Sequence, residues 1–191
     1  DPEVTYSLPD RQIANGVADP FVHIIEQYLT YPVNSPIQDG FAETLMRTLI
    51  DLGPKALATP KNYDIRANLM WTATLALNGL IGAGVPQDWS SHMIGHEITA
   101  FNDTDHARTL AVVLPSLMND QRGPKREKLL QYAANVWNIH DGSDDDRIDA
   151  VIDATRGFFE NLGIKTRLSD YDVDATGIEH IIIALKSHGM T

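Results

Sequence analysis

The chain has 191 residues, 43% hydrophobic and 21% charged, with 15 Lys+Arg against 26 Asp+Glu for a formal net charge of −11. That balance argues against a nucleic-acid partner, because no cationic face is available for phosphate contacts. No apolar run is long enough to span a membrane, and no basic-then-apolar leader opens the chain. The absence of cysteine excludes disulfides, thiolate zinc sites and cysteine nucleophiles, so any metal must rest on His, Asp or Glu.

The length suits one domain, and almost every segment has helical period, which predicts an all-α domain of eight to ten helices over residues 1–191. The first amphipathic stretch runs from Asp10 to Thr30. Pro20 predicts a kink or restart within it, with Asp19 as N-cap and Pro20 as first helical residue. Pro36 opens a second helix that Gly53-Pro54 should close. A third spans Asn62 to Leu80, with Ile65, Leu69, Thr72 and Ala76 along one side. Gly82, Gly84 and Pro86 separate it from a helix over Asp88–Phe101. A polar loop, Asn102 to Asp105, leads into His106–Met118. After Gly123-Pro124 comes a helix bearing Leu129, Leu130, Ala133 and Trp137. Ser143 caps the next, Asp144–Leu162, whose first-turn Asp144, Asp145 and Asp146 complement the helix dipole. Thr176 to Glu179 has the capping-box pattern ahead of a final helix through Ile181, Ile182, Ile183 and Leu185. Trp71, Trp89 and Trp137 are expected in the core.

Two histidine groups carry the chemical interest. Asp19 and His23 lie one helical turn apart, so both side chains project from one face. His92 and His96 repeat that spacing, and His106 opens the following helix. Imidazole and carboxylate ligands suit zinc or Fe(II). Spacing alone favours His92 and His96 as a chelating pair completed by Asp19, His23 or His106. The zincin pattern is absent, since Glu97 follows the second histidine rather than lying between the two. His140-Asp141 is an alternative nucleus, of the type used by helical metal-dependent phosphohydrolases, and a non-catalytic interaction domain is a third reading. Asp141–Asp146 and Asp170–Asp174 lack the Gly and Glu that an EF-hand loop requires and read as helix entries. His180 and His188 read as surface or cap residues.

The segments Asn15-Gly16-Val17-Ala18-Asp19-Pro20-Phe21-Val22-His23 and His92-Met93-Ile94-Gly95-His96-Glu97, followed by Asp105-His106, closely resemble those of iron-containing (group III) alcohol dehydrogenases. The nearest likeness is to the NADP-dependent aldehyde reductase and butanol dehydrogenase branch. Gly82-Ala83-Gly84-Val85-Pro86-Gln87-Asp88-Trp89 adds support, and the resemblance covers essentially the whole chain. It implies the helical C-terminal domain of a dehydroquinate synthase-like enzyme. Its metal ligands would be Asp19, His23, His92 and His106 around Fe(II) or zinc. His96 would then leave the ligand set and stand beside nicotinamide and substrate, relaying a proton. The implied activity is hydride transfer between NAD(P)(H), here NADP(H), and an aldehyde or primary alcohol, in a cytoplasmic homodimer. Pro20 after Asp19, and Ala107 where many members have Gly, depart from the family pattern without removing a ligand. No Gly-rich phosphate loop follows a strand. An N-terminal dinucleotide-binding domain is therefore expected to be absent from this chain, leaving it inactive alone.

Overall fold

The computed structural model describes residues 1–190. A short 3₁₀ turn at Pro2–Thr5 leads into eight α-helices: α1 (Asp10–Tyr28), α2 (Pro36–Ala58), α3 (Tyr63–Leu77), α4 (Ser90–Asn102), α5 (His106–Asp120), α6 (Arg126–Trp137), α7 (Asp144–Asn161) and α8 (Ala175–Ser187). A second 3₁₀ turn, Leu168–Tyr171, precedes α8, and no strand occurs among the described residues. No helix among them is long and apolar enough to cross a membrane.

The first helix is the axis of the molecule. It packs on α2, α3, α4 and α5, and it buries Ile13, Ala14, Val17, Ala18, Phe21, Val22, Ile24, Ile25 and Tyr28. Each fully buried Ile or Phe contributes about 1.5–3 kcal/mol, enough to explain how α1 tolerates Pro20. The helix is continuous through that residue, with no restart, and Asp19 is an interior residue rather than a cap. The N–H that proline lacks would have met the carbonyl of Gly16, an exposed residue whose carbonyl water can serve. Likewise α2 does not stop at Gly53-Pro54 but continues to Ala58. Gly53 is buried against α1, where an added Cβ would lie 2.8 Å from Val17 Cγ1.

The remaining helices follow local chemistry more closely. Asn62 caps α3 by accepting the Ile65 N–H at 3.1 Å, and Leu69, Thr72 and Ala76 face inward as expected. Ser143 and Asp146 form a reciprocal capping box at the start of α7. The cap of α8 is Asp174, which accepts from Gly177 N, rather than Thr176, which lies inside the helix. Trp137 packs on the core, but Trp89 is half-buried and Trp71 is 63% exposed on α3, contrary to their expected burial. The main core joins α1, α2, α3, α5, α6 and α7. A smaller one, Ile98, Val113, Val173 and Ile181, seats α8 on α4 and α5.

Candidate metal centre

Three helices converge on one polar cluster. Asp19 and His23 come from the middle of α1, His92 from the first turn of α4, and His106 from the first residue of α5. Ligand atoms of Asp19, His92 and His106 all lie within 4.8 Å of one another. His106 Nε2 stands 3.6 Å from Asp19 Oδ1. That is too long for a hydrogen bond and close to the roughly 3.4 Å between adjacent ligands of one tetrahedral ion. His23 borders the trio, with its ring centroid 4.1 Å from that of His92. Its Nδ1 donates to the Asp19 carbonyl at 2.9 Å, which leaves Nε2 with a lone pair.

The donor set fits a cation. His92 Nε2 and Asp19 Oδ1 are buried and have no hydrogen-bond partner among the described residues. Buried polar atoms are normally satisfied, so two unpaired acceptors aimed into one cluster point to something electropositive between them. Burial, together with the neighbouring His92, His96 and His23, depresses the pKa of His106 against the opposing pull of Asp19. A neutral imidazole with a free lone pair is the form a metal requires.

His96 lies one turn beyond His92 on the exposed side of α4 and stacks on His106, with centroids 4.7 Å apart and an interplanar angle of 30°. It is thus outside the Asp19–His92–His106 trio, whereas spacing alone pairs it with His92. Trp89 closes another side, its ring 5.7 Å from His23 and 5.3 Å from His92. His140 bonds Asn138 in an exposed loop and is not brought to any of these histidines. His188 pairs with Glu97 at 2.7 Å, and His180 lies against Phe101.

The helix starts are held in register by contacts that the sequence does not display. Asp105, just before His106, accepts from Arg11 at 2.6 Å and from buried Asn15 at 2.8 Å, tying the entry of α5 to α1. The Arg11 hydrogen bond, helped by Asn15 and Arg108, keeps its carboxyl below the usual carboxylate range despite partial burial. Gly95 lets α4 approach α5 closely, since an added Cβ would stand 2.8 Å from Thr109 Oγ1. Glu26 is the residue that sequence reasoning missed. It is 4% exposed, and its carboxylate meets Ser91 N, His92 N and His92 Nδ1. The signal that could have found it is its place three residues after His23 and seven after Asp19, on the same face of α1.

Comparison with known proteins places this architecture. Residues 13–189 match the model of the Fe-containing alcohol dehydrogenase family, C-terminal part. The chain belongs to the iron-containing alcohol dehydrogenase family. Over 191 residues it is 63% identical to the NADPH-dependent aldehyde reductase YqhD of Escherichia coli, covering 100% of this chain and 49% of that protein. It is 37% identical over 194 residues to NADH-dependent butanol dehydrogenase B of Clostridium acetobutylicum, again covering 49% of the relative. The substrate- and cofactor-free structure of the E. coli aldehyde reductase superposes with a TM-score of 0.99, covering 100% of this chain and 50% of that one. NADH-dependent butanol dehydrogenase A of Thermotoga maritima, 27% identical, gives 0.90 over 97% of this chain and 47% of its own. The chain therefore spans about half the length of the curated relatives it matches.

Proposed function

We propose that the chain is the metal-holding catalytic half of an NAD(P)(H)-dependent aldehyde reductase, in which Asp19, His23, His92 and His106 hold one divalent cation. The observation that carries this reading is the pair of buried, unpartnered acceptors, His92 Nε2 and Asp19 Oδ1, facing one another across the cluster. Bound there, Fe(II) or zinc supplies Lewis-acid polarisation of a carbonyl oxygen, and reduced nicotinamide supplies hydride. Asp19 contributes the negative charge that a dication needs in a half-buried site. The three histidines contribute imidazole nitrogens, and burial pushes the pKa of His106 down, toward the neutral form. Reduction of an aldehyde consumes one proton as well as hydride. Exposed His96, stacked on His106, is placed to take a proton from solvent and pass it to the oxygen that hydride addition leaves anionic. The names of the two quoted sequence relatives support both NADPH and NADH as donors; the 63% identical relative favours NADPH.

The test is metal stoichiometry. The parent chain should hold about one zinc or iron per molecule after dialysis, and His23→Ala and His106→Ala should each lower affinity by at least about tenfold. Retention of a full equivalent by both variants would end the four-ligand reading. Loss on His140→Ala alone would favour the phosphohydrolase alternative.

A further inference from the structure

Glu26 sits deeper than the ligands themselves, and nothing in the ligand set requires a second carboxylate there. It is 4% exposed, against a side-chain exposure of 28% for Asp19. One oxygen, Oε1, accepts the backbone N–H of Ser91 at 2.5 Å and approaches that of His92 at 3.3 Å. The other, Oε2, accepts from His92 Nδ1. The Glu26 carbonyl also receives the Asp88 N–H at 2.9 Å, so the approach to α4 is latched to α1 at this one residue. We propose that Glu26 is a positioning residue: its buried carboxylate fixes His92 in the Nδ1–H tautomer and aims the Nε2 lone pair into the Asp19–His106 cluster. This rests on the metal-centre reading above and extends it to the residue that orients its most buried histidine.

Helix capping alone does not account for Glu26. Asp88 already accepts the Ser90 N–H at 3.1 Å, and a neutral side chain would serve the other first-turn amides as well. A carboxylate this buried is costly unless it is compensated. Among the described residues no lysine or arginine pairs with it, since the nearby Lys125 is engaged by Asp88 at 2.5 Å. Its partners are the Ser91 and His92 amides on one oxygen and the His92 ring on the other. A carboxylate accepting from the far nitrogen of a ligating histidine both sets the tautomer and raises the basicity of the other nitrogen.

The two oxygens make the tautomer dependence testable with an isosteric change. In Glu26→Gln, the amide oxygen must stay on Ser91 N and His92 N, because turning the NH₂ toward them would oppose donor to donor. The NH₂ then faces His92 Nδ1, which must become an acceptor, and the ring proton moves to Nε2, the position needed for metal. The decisive measurement is Zn²⁺ affinity by competition with a chromophoric chelator. It is paired with nitrogen-15 imidazole spectra of the metal-free protein and its thermal unfolding. The parent should show His92 with Nδ1–H. The Glu26→Gln variant should show Nε2–H, bind Zn²⁺ at least about tenfold more weakly, and melt, metal-free, close to the parent. Unchanged Zn²⁺ affinity in Glu26→Gln, with His92→Ala deficient, would overturn the proposal, as would Nε2–H in the parent. A Glu26→Gln affinity loss explained entirely by a collapsed fold would leave the parent spectrum as the deciding result. If the parent takes up no Zn²⁺, the four-ligand reading fails, while the tautomer spectrum still decides whether Glu26 holds His92.

Discussion

His92 and Asp105 show how single residues set the geometry of the cluster. One nitrogen of His92 is committed to Glu26 and the other has no partner, so the ring is held with its acceptor directed inward. Asp105 does the corresponding work for His106 by anchoring the start of α5 to α1 through Asn15 and Arg11. Arg11 is 61% exposed, so its ion pair is screened and contributes little. The buried Asn15 contact matters more, because its other polar atom, Oδ1, is already without a partner. Asp105→Ala should therefore cost about 1–2 kcal/mol in urea unfolding at neutral pH. The folded protein holds this carboxyl below its ordinary range, so the stabilisation is fully present above the ordinary carboxylate pKa. It is lost as pH falls through the lower folded value. Unfolding measured from neutral to acid pH should thus show the gap between parent and variant narrowing on the acid side, the remainder being the Asn15 contact, which a protonated carboxyl still accepts. Spacing alone points to His92 with His96, while the family likeness points to Asp19, His23, His92 and His106, of which Asp19, His92 and His106 come together in the fold. Glu26 and Asp105 escaped notice because their roles depend on which helix crosses which, and a lone glutamate inside an apolar face carries no motif.

At the scale of elements, the cluster depends on three helices meeting at their first turns or midpoints, and close packing decides where they meet. Periodicity located every helix, and local chemistry found caps such as Asn62 and Ser143. The misreadings fell where tertiary burial outweighs a local penalty. Pro20 and Pro54 predict interruptions, yet α1 and α2 run through them because their apolar faces are buried on several sides. Trp71 is an inward residue by type alone, yet α3 is covered by neighbours on one side only and presents it to solvent. Gly95 is the opposite case, a residue unremarkable in sequence that sets the distance between two ligand-bearing helices. An alanine there gains up to about 1 kcal/mol in helix propensity. Its Cβ, however, would meet Thr109 Oγ1 at 2.8 Å and Leu110 Cδ2 at 3.0 Å, and both residues are fully buried and cannot retreat into solvent. Overpacking of this kind typically costs about 1–3 kcal/mol. Gly95→Ala should lower the thermal midpoint and, by moving His92 away from His106, weaken Zn²⁺ binding. A variant with parental stability and affinity would show that α4 and α5 adjust freely.

For the whole molecule, the proposed reaction needs two kinds of site, and the described all-helical fold offers donors for one of them. In the proposed reading, Asp19, His23, His92 and His106 would hold the cation, three of them with ligand atoms already within 4.8 Å of one another. A nicotinamide dinucleotide needs a phosphate cradle, for which the usual solution is a glycine-rich turn between a strand and a helix N-terminus. The described residues contain no strand, and the glycines at 82 and 84 lie in a turned segment that leads to α4 through Pro86 rather than opening a helix directly. The chain spans 49% of the length of each of the two relatives quoted above. Metal holding and cofactor holding should therefore separate experimentally. With Zn²⁺ at about 1,000 times its dissociation constant, binding to the folded state alone adds about 4 kcal/mol of stability. The 191-residue chain should thus melt at a higher temperature with Zn²⁺, and a chelator should reverse the shift. The same Zn²⁺-loaded sample, given NADPH and an aliphatic aldehyde, should show no NADPH consumption above the protein-free rate. Steady turnover would mean that the helical domain binds dinucleotide by itself. Absence of the thermal shift would mean instead that the cluster does not hold the cation, and the two failures point to different parts of the reading.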